Sequence, residues 1–274
     1  QRPWAMLGHM EPKLAVLRRE LRALESVVVA YSGGLDSAFV LAIAHETLGE
    51  RAVGLTAFSP SVPQRERQDA TRLAQKLGAR HMIVDSQELH DPRYAANPDN
   101  RCFYCKSELY KLTEQTRRDL GFAHVVNGTN VDDLGDYRPG LEAAKAASVR
   151  SPLVHAGLHK AEIRALAKAL ALDFWDKPAA ACLSSRIPYG TAVTKERLSQ
   201  VERLEDALHA LGLRQVRVRH HDSLARIEVA QSELMAAFAA RDAIVAAGKE
   251  VGFTYVTLDL AGYRTGSFNQ LLRV

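Results

Sequence analysis

The sequence predicts an α/β protein: a doubly wound parallel sheet followed by a smaller C-terminal α+β domain. Short apolar runs alternate with helical segments of roughly 10 to 17 residues, the rhythm of βαβ units with right-handed crossovers. The first apolar run stops at two glycines in a strand-to-helix turn, and beyond Gly190 the rhythm gives way to strands with period-two alternation. Composition agrees. With 274 residues, 47% apolar, 25% charged and only 7% aromatic, the chain excludes collagen-like, low-complexity and wholly disordered classes. A chain of this length buries about three quarters of its unfolded surface, so any metal it binds would serve function, not folding.

Between Glu11 and Glu25, Leu14, Leu17, Leu21 and Leu24 recur at helical spacing and make an opening amphipathic helix. Val27 to Tyr31 is a continuous apolar run, typical of a parallel strand covered on both faces. A helix from about Asp36 to Leu48, a strand from Ala52 to Phe58, and a helix entered at Pro63 and left at Gly78 follow. Then come a strand from His81 to Asp85, a helix from Lys106 to Leu120 and a strand from His124 to Asn127. The second domain reads as a helix from Thr194 to Leu211, strands Arg214 to His220 and Leu224 to Ala230, a helix from Ser232 to Ala247, and a strand from Tyr255 to Leu260. Expected boundaries are 1–10 for a cloning remnant, with Gly8-His9-Met10 before a native start near Met10, then 11–190 and 191–274 for the two domains.

A net charge of +4 permits a nucleic-acid partner, yet no run of five Lys or Arg marks one, and a solvated surface with mild excess base or a small anionic substrate is the better expectation. No stretch of 18 apolar residues is present, so no membrane-spanning helix is expected. Three cysteines are too few and odd in number for a secreted disulfide framework, which favours a reducing, cytoplasmic setting.

Ser32-Gly33-Gly34-Leu35-Asp36-Ser37 sits between the first strand and the helix behind it. Two glycines permit a tight turn, and the helix supplies unpaired N–H groups and a positive dipole end, together an anion cradle to which Ser32 and Ser37 add hydroxyls. The hexapeptide is neither a Walker A loop nor a dinucleotide fingerprint. Read as a plain turn, the loop would use Asp36 to cap the helix. Asn127 to Asp133 falls at the same sheet edge: Gly128 and Thr129 can approach a phosphate, and Asp132 or Asp136 can assist a metal or orient Arg138.

Cys102 and Cys105 form a C-x-x-C, and Cys182 lies far downstream beside Ser184, Ser185 and Arg186, a cationic setting that favours thiolate. A tetrahedral zinc site wants four ligands; three thiolates suit a [4Fe–4S] cluster with one open iron. A thioredoxin-like pair is a second reading of the C-x-x-C, and a small buried hydrophobe a second reading of Cys182.

The Ser32 to Ser37 hexapeptide resembles the PP-loop of the ATP pyrophosphatases, whose fold is adenine nucleotide alpha-hydrolase-like. These enzymes cleave ATP between the α and β phosphates, adenylate an oxygen, and let a nitrogen or sulfur nucleophile displace AMP. With the peptides NPDNRCFYCKSELY (97–110) and KPAAACLSSRIPYG (177–190), the chain from about Leu14 to Leu272 resembles the LarE family of ATP-dependent sulfur transferases. That resemblance implies adenylation of the carboxylates of pyridinium-3,5-biscarboxylic acid mononucleotide and their conversion to thiocarboxylates, for the nickel-pincer cofactor of lactate racemase. It implies ATP and Mg2+, with Asp36 the candidate to reach the metal directly or through water, and, because all three cysteines are present, a [4Fe–4S] cluster on Cys102, Cys105 and Cys182 that relays sulfide from an external donor. Family members with only the cysteine matching Cys182 give up its sulfur instead. The resemblance further implies a homo-oligomer, a hexamer among its forms.

Substrate carboxylates and phosphate call for arginine forks. Arg217 and Arg219 lie on one face of a strand and, by the resemblance, contact the substrate phosphate, with Glu228 orienting them. Arg186 follows the third cysteine, and Ser185, Ser184, Arg101 and Lys106 are lesser candidates. His220 and His221 are adjacent and so point to opposite faces. The rival readings are a tRNA thiolase of the same superfamily, an ammonia-using amidase and a nucleotide-binding iron–sulfur sensor.

Overall fold

A computed structural model describes residues 8, 10–135, 139–178 and 181–264. In chain order these form α1 (Glu11–Ala23), β1 (Val27–Ala30), α2 (Leu35–Leu48), β2 (Ala52–Phe58), α3 (Gln64–Lys76), β3 (Arg80–Asp85), α4 (Pro92–Ala95), α5 (Arg101–Asp119) and β4 (His124–Val126). There follow α6 (Pro139–Ala146), α7 (Pro152–His155), α8 (Lys160–Ala169), α9 (Lys195–Ala210), β5 (Val216–His221), β6 (Leu224–Val229), α10 (Leu234–Ala239), α11 (Arg241–Glu250) and β7 (Tyr255–Leu258). The chain divides into two compact units. One holds Gln1–Ser59, Gln64–Glu88 and Cys102–Ala180; the other holds Pro60–Pro63, Leu89–Arg101 and Ala181–Val274.

In the first unit the sheet runs β3-β2-β1-β4, all parallel. The all-apolar β1 is buried at every position, as its interior place requires. Strand order reverses at β1, so the carboxyl ends of β1 and β4 open the crevice where ligands of doubly wound sheets collect. The core beneath joins Leu14, Leu17 and Leu21 of α1 to Phe39 and Ile43 of α2 and to Ile163 and Leu166 of α8. In the second unit β5 and β6 pair antiparallel and β6 and β7 parallel, backed by Leu198, Val201, Leu204 and Leu208 of α9. No helix among the described residues is long and apolar enough to cross a membrane.

Two elements differ from their sequence expectation. The helix expected from Lys106 begins at Arg101, so both cysteines of the C-x-x-C lie within its first turns. Its start is set just upstream, where Asn97 takes a left-handed φ of 58° and Arg101 N–H reaches the Pro98 carbonyl at 3.0 Å. Asparagine tolerates that conformation better than most side chains. The single helix expected over Ser232 to Ala247 is two, broken at Ala240, which ends α10 and starts α11. Neither Gly nor Pro marks this break, so the sequence carried no signal for it.

Candidate active site

Gly33 has φ +73°, and a Cβ there would lie 2.7 Å from the Ala70 Cβ, so the turn after β1 demands glycine on two counts. Ser37 Oγ donates to the Gly34 carbonyl at 3.1 Å and accepts from Ser32 N–H at 3.2 Å, drawing the loop into a ring around the start of α2. Gly34 is the N-cap of α2 and no side chain caps it, which leaves the helix N–H groups facing the crevice for an anion. Asp36 is therefore no cap. Its Oδ2 accepts from Lys160 Nζ at 2.6 Å, while Oδ1 is buried with no hydrogen-bond partner among the described residues. An unused, buried carboxylate oxygen beside an uncapped helix start would suit a hard divalent cation.

From β4, Gly128 runs against this turn so closely that a Cβ would stand 2.6 Å from the Ser37 backbone nitrogen. That contact is backbone on backbone and has no side chain to yield. Gly128→Ala should therefore cost about 1–3 kcal/mol and weaken nucleotide binding in parallel, read by a melting curve and an ATP titration. Asn127 holds the strand exit: its Oδ1 accepts from Thr129 N–H at 3.1 Å and from Ser151 Oγ at 2.9 Å. Both oxygens of Asp132 are engaged, one with His159 Nδ1 at 2.6 Å and one with Lys160 N–H at 2.7 Å. Hydrogen bonding from His159 holds its carboxyl below the usual range, and the geometry makes it the anchor of α8. Asp136 and Arg138 lie outside the described residues.

Lys160 was not marked by sequence reasoning. The signal lay in the apolar positions Ile163, Leu166 and Ala167, which define a helix whose first residue faces the crevice.

In the second unit Cys182 is half-buried and its carbonyl is a hub. It accepts from Ser185 N–H at 3.0 Å, Ser185 Oγ at 2.7 Å and Arg186 Nη1 at 2.8 Å. Arg186 is also tied to Glu205 by a bidentate pair at 2.9 and 3.0 Å, both residues buried. Glu205 further accepts from Val218 N–H at 3.0 Å, joining the loop to β5. Arg219 donates to Glu228 at 2.8 Å and to the Ser185 carbonyl at 3.0 Å. Glu228 faces Arg217 in strand register, yet its carboxylate pairs with Arg219 and Arg226. Arg217 is left with the Val216 carbonyl at 2.7 Å and the Tyr263 ring at 5.3 Å. Burial, with Arg186 next, makes its positive charge harder to hold, so an incoming anion would gain there.

The structure thus brings Ser32, Gly33, Gly34, Asp36, Ser37 and Gly128 together around one turn, and Cys182, Ser185, Arg186, Arg219 and Glu228 around one loop. Cys102 is exposed and Cys105 half-buried. Among the described residues no three His, Cys, Asp or Glu side chains gather as a group able to hold a metal ion.

A family model described as NAD synthase matches residues 13–101, the stretch that holds the glycine turn. The chain is 44% identical over 265 residues to the uncharacterized protein slr1717 of Synechocystis sp., covering 96% of this chain and 99% of that one. It is 29% identical over 192 residues to the tRNA-specific 2-thiouridylase MnmA of Rickettsia peacockii, 56% of this chain and 52% of that protein. It is 37% identical to the pyridinium-3,5-bisthiocarboxylic acid mononucleotide synthase of Lactiplantibacillus plantarum over 267 residues, 97% of each chain. A likeness that covers 97% of both proteins, over a doubly wound fold with a glycine turn at its switch point, means that the chain belongs to the LarE family of ATP-dependent sulfur transferases, within the PP-loop pyrophosphatases.

Proposed function

We propose that this chain adenylates the carboxylates of pyridinium-3,5-biscarboxylic acid mononucleotide and converts them to thiocarboxylates, a step of nickel-pincer cofactor synthesis. The observation that carries the ATP half is the uncapped start of α2 with the buried, leftover oxygen of Asp36 beside it. The full-length likeness to the Lactiplantibacillus plantarum synthase supports the acceptor.

In the adenylation step a substrate carboxylate oxygen attacks the α-phosphorus and pyrophosphate leaves. Ser32, Gly33, Gly34 and Ser37 hold the leaving phosphates, with Gly128 and Thr129 closing the cradle. Asp36 would hold Mg2+, which would supply charge neutralisation on the phosphates. Lys160, paired with Asp36, is a second positive charge beside the cradle that would help neutralise the phosphates. Arg217, with Arg219 set by Glu228, binds the mononucleotide phosphate. A sulfur nucleophile then attacks the acyl carbon, and AMP departs with the carboxylate oxygen. Cys182 is the sulfur-bearing residue, and Ser185 and Arg186 hold its backbone.

Two sulfur routes differ in outcome. Ligation of a [4Fe–4S] cluster by Cys102, Cys105 and Cys182 is supported by the donor set alone; anaerobic reconstitution should give about four irons per chain and repeated turnover on sulfide. Loss of hydrogen sulfide from the protein mass after one turnover, with no iron requirement, favours sacrifice of Cys182. The MnmA relatives favour a second reading, tRNA thiolation. The deciding experiment measures pyrophosphate release from ATP with each acceptor. Stimulation by the biscarboxylated mononucleotide, with oxygen-for-sulfur mass exchange in the product, is expected; stimulation by tRNA alone would overturn the proposal.

A further inference from the structure

The loop that follows Cys182 is strapped down by a short segment that ends one residue before Cys102. Tyr94, Asn97 and Arg101 are all buried, and none has a part in the chemistry above. Tyr94 Oη lies 2.7 Å from Ser184 Oγ and 2.7 Å from Ser61 Oγ, and Ser184 Oγ is 3.0 Å from Ser61 Oγ, a closed ring of three hydroxyls. Asn97 Nδ2 donates to the carbonyls of Pro188 at 2.7 Å and Thr191 at 2.8 Å, and the Asn97 carbonyl accepts from Gly190 N–H at 2.9 Å. Arg101 Nη1 donates to the Ser184 carbonyl at 2.9 Å and to Asn97 Oδ1. The Arg101 guanidinium also sits 5.8 Å from the centre of the Tyr189 ring.

Burying a guanidinium is costly unless its donors are used. Turn residues and water satisfy the backbone of an ordinary surface loop, whereas this stretch buries Leu183, Ser184 and Ile187 and must find its partners inside the protein. Here the buried polar groups converge on carbonyls and a hydroxyl within the 183–193 stretch, and the nearest of them stands two residues after Cys182. Networks of this kind fix one conformation sharply, since any displacement leaves buried groups unpaired.

We propose that Arg101, supported by Asn97 and Tyr94, is the positioning residue of the sulfur-bearing loop: it fixes the Ser184 backbone and through it the placement of the Cys182 thiol. This inference rests on the reading of Cys182 as the sulfur-bearing residue. It assigns a purpose to an arginine that stands directly before a cysteine pair and whose charge points instead into the loop of the third cysteine.

The test compares Arg101→Gln, Arg101→Lys and Tyr94→Phe with the parent chain. The first readout is the rate at which iodoacetamide alkylates Cys182, followed across pH by peptide mass, which needs no enzymatic activity. The second is the split between pyrophosphate release and thiocarboxylate formation. Arg101→Gln should change the alkylation rate about fivefold or more and lower thiocarboxylate formation about tenfold, with pyrophosphate release within about twofold of the parent. Arg101→Lys should recover part of both, and Tyr94→Phe, which removes only a hydroxyl, should show the same split more weakly in a folded protein. Unchanged alkylation in both Arg101→Gln and Tyr94→Phe, or a fall of both half-reactions in step with the melting temperature, would overturn it. A parent chain that forms no thiocarboxylate would sink the function reading, while the alkylation rates would still decide the positioning.

Discussion

Asp36→Asn should reduce pyrophosphate release by about 100-fold or more, the scale of losing one preorganised charge at a transferring phosphoryl group, and should leave the melting temperature nearly unchanged. The asymmetry follows from the two oxygens. Oδ2 is taken by Lys160, whose side chain is 38% exposed and can return to water when its partner is lost, so the pair contributes little to stability. Oδ1 is buried with no hydrogen-bond partner among the described residues, a cost that folding alone does not recover and that a bound cation would. The variant should therefore need a higher Mg2+ concentration for half-maximal activity, measured by titrating the metal at saturating ATP. Lys160→Ala should behave differently, raising the KM for ATP without moving the Mg2+ midpoint upward. If Asp36→Asn retains the parent's Mg2+ dependence, Asp36 does not hold the metal.

Local features of the sequence carried the first unit well. The buried β1, the glycine turn and the return of β4 to the same sheet edge were all legible because a parallel strand and a glycine turn are written in contiguous residues. Partners distant in sequence were not. Lys160 meets Asp36 across 124 positions, and no spacing rule links a lysine at one helix start to a carboxylate at another. Arg101 read as a lesser substrate residue beside a cysteine pair; its burial and its bond to Ser184 depend on a loop 83 positions away. The pairing of Glu228 with Arg219 was half legible, since strand register sets Glu228 opposite Arg217 and only side-chain direction selects the diagonal neighbour. Glu205 left a signal that went unread: a carboxylate among the buried Leu198, Val201, Leu204 and Leu208 of α9 is unaccountable unless a buried cation answers it.

That cation is Arg186, and Glu205→Leu should destabilise the second unit strongly. Its side chain is 9% exposed and that of Arg186 is 3% exposed, so removing the carboxylate strands a guanidinium where water cannot reach it. The expected cost is about 3–5 kcal/mol, seen as a melting midpoint lowered by roughly 10 °C or more. Arg186→Met combined with Glu205→Leu should recover part of that loss, because two apolar side chains carry no stranded charge, while the buried Val218 N–H still lacks its acceptor. Sulfur transfer should stay low in the double variant. Arg186 Nη1 also donates to the Ala181 and Cys182 carbonyls at 2.7 and 2.8 Å, and methionine offers no donor to replace it. Measuring the melting midpoint and thiocarboxylate formation on both variants separates the two duties of one guanidinium. Recovered stability with recovered transfer would mean that Arg186 is only a core residue, whereas recovered stability without transfer assigns it to holding the cysteine backbone.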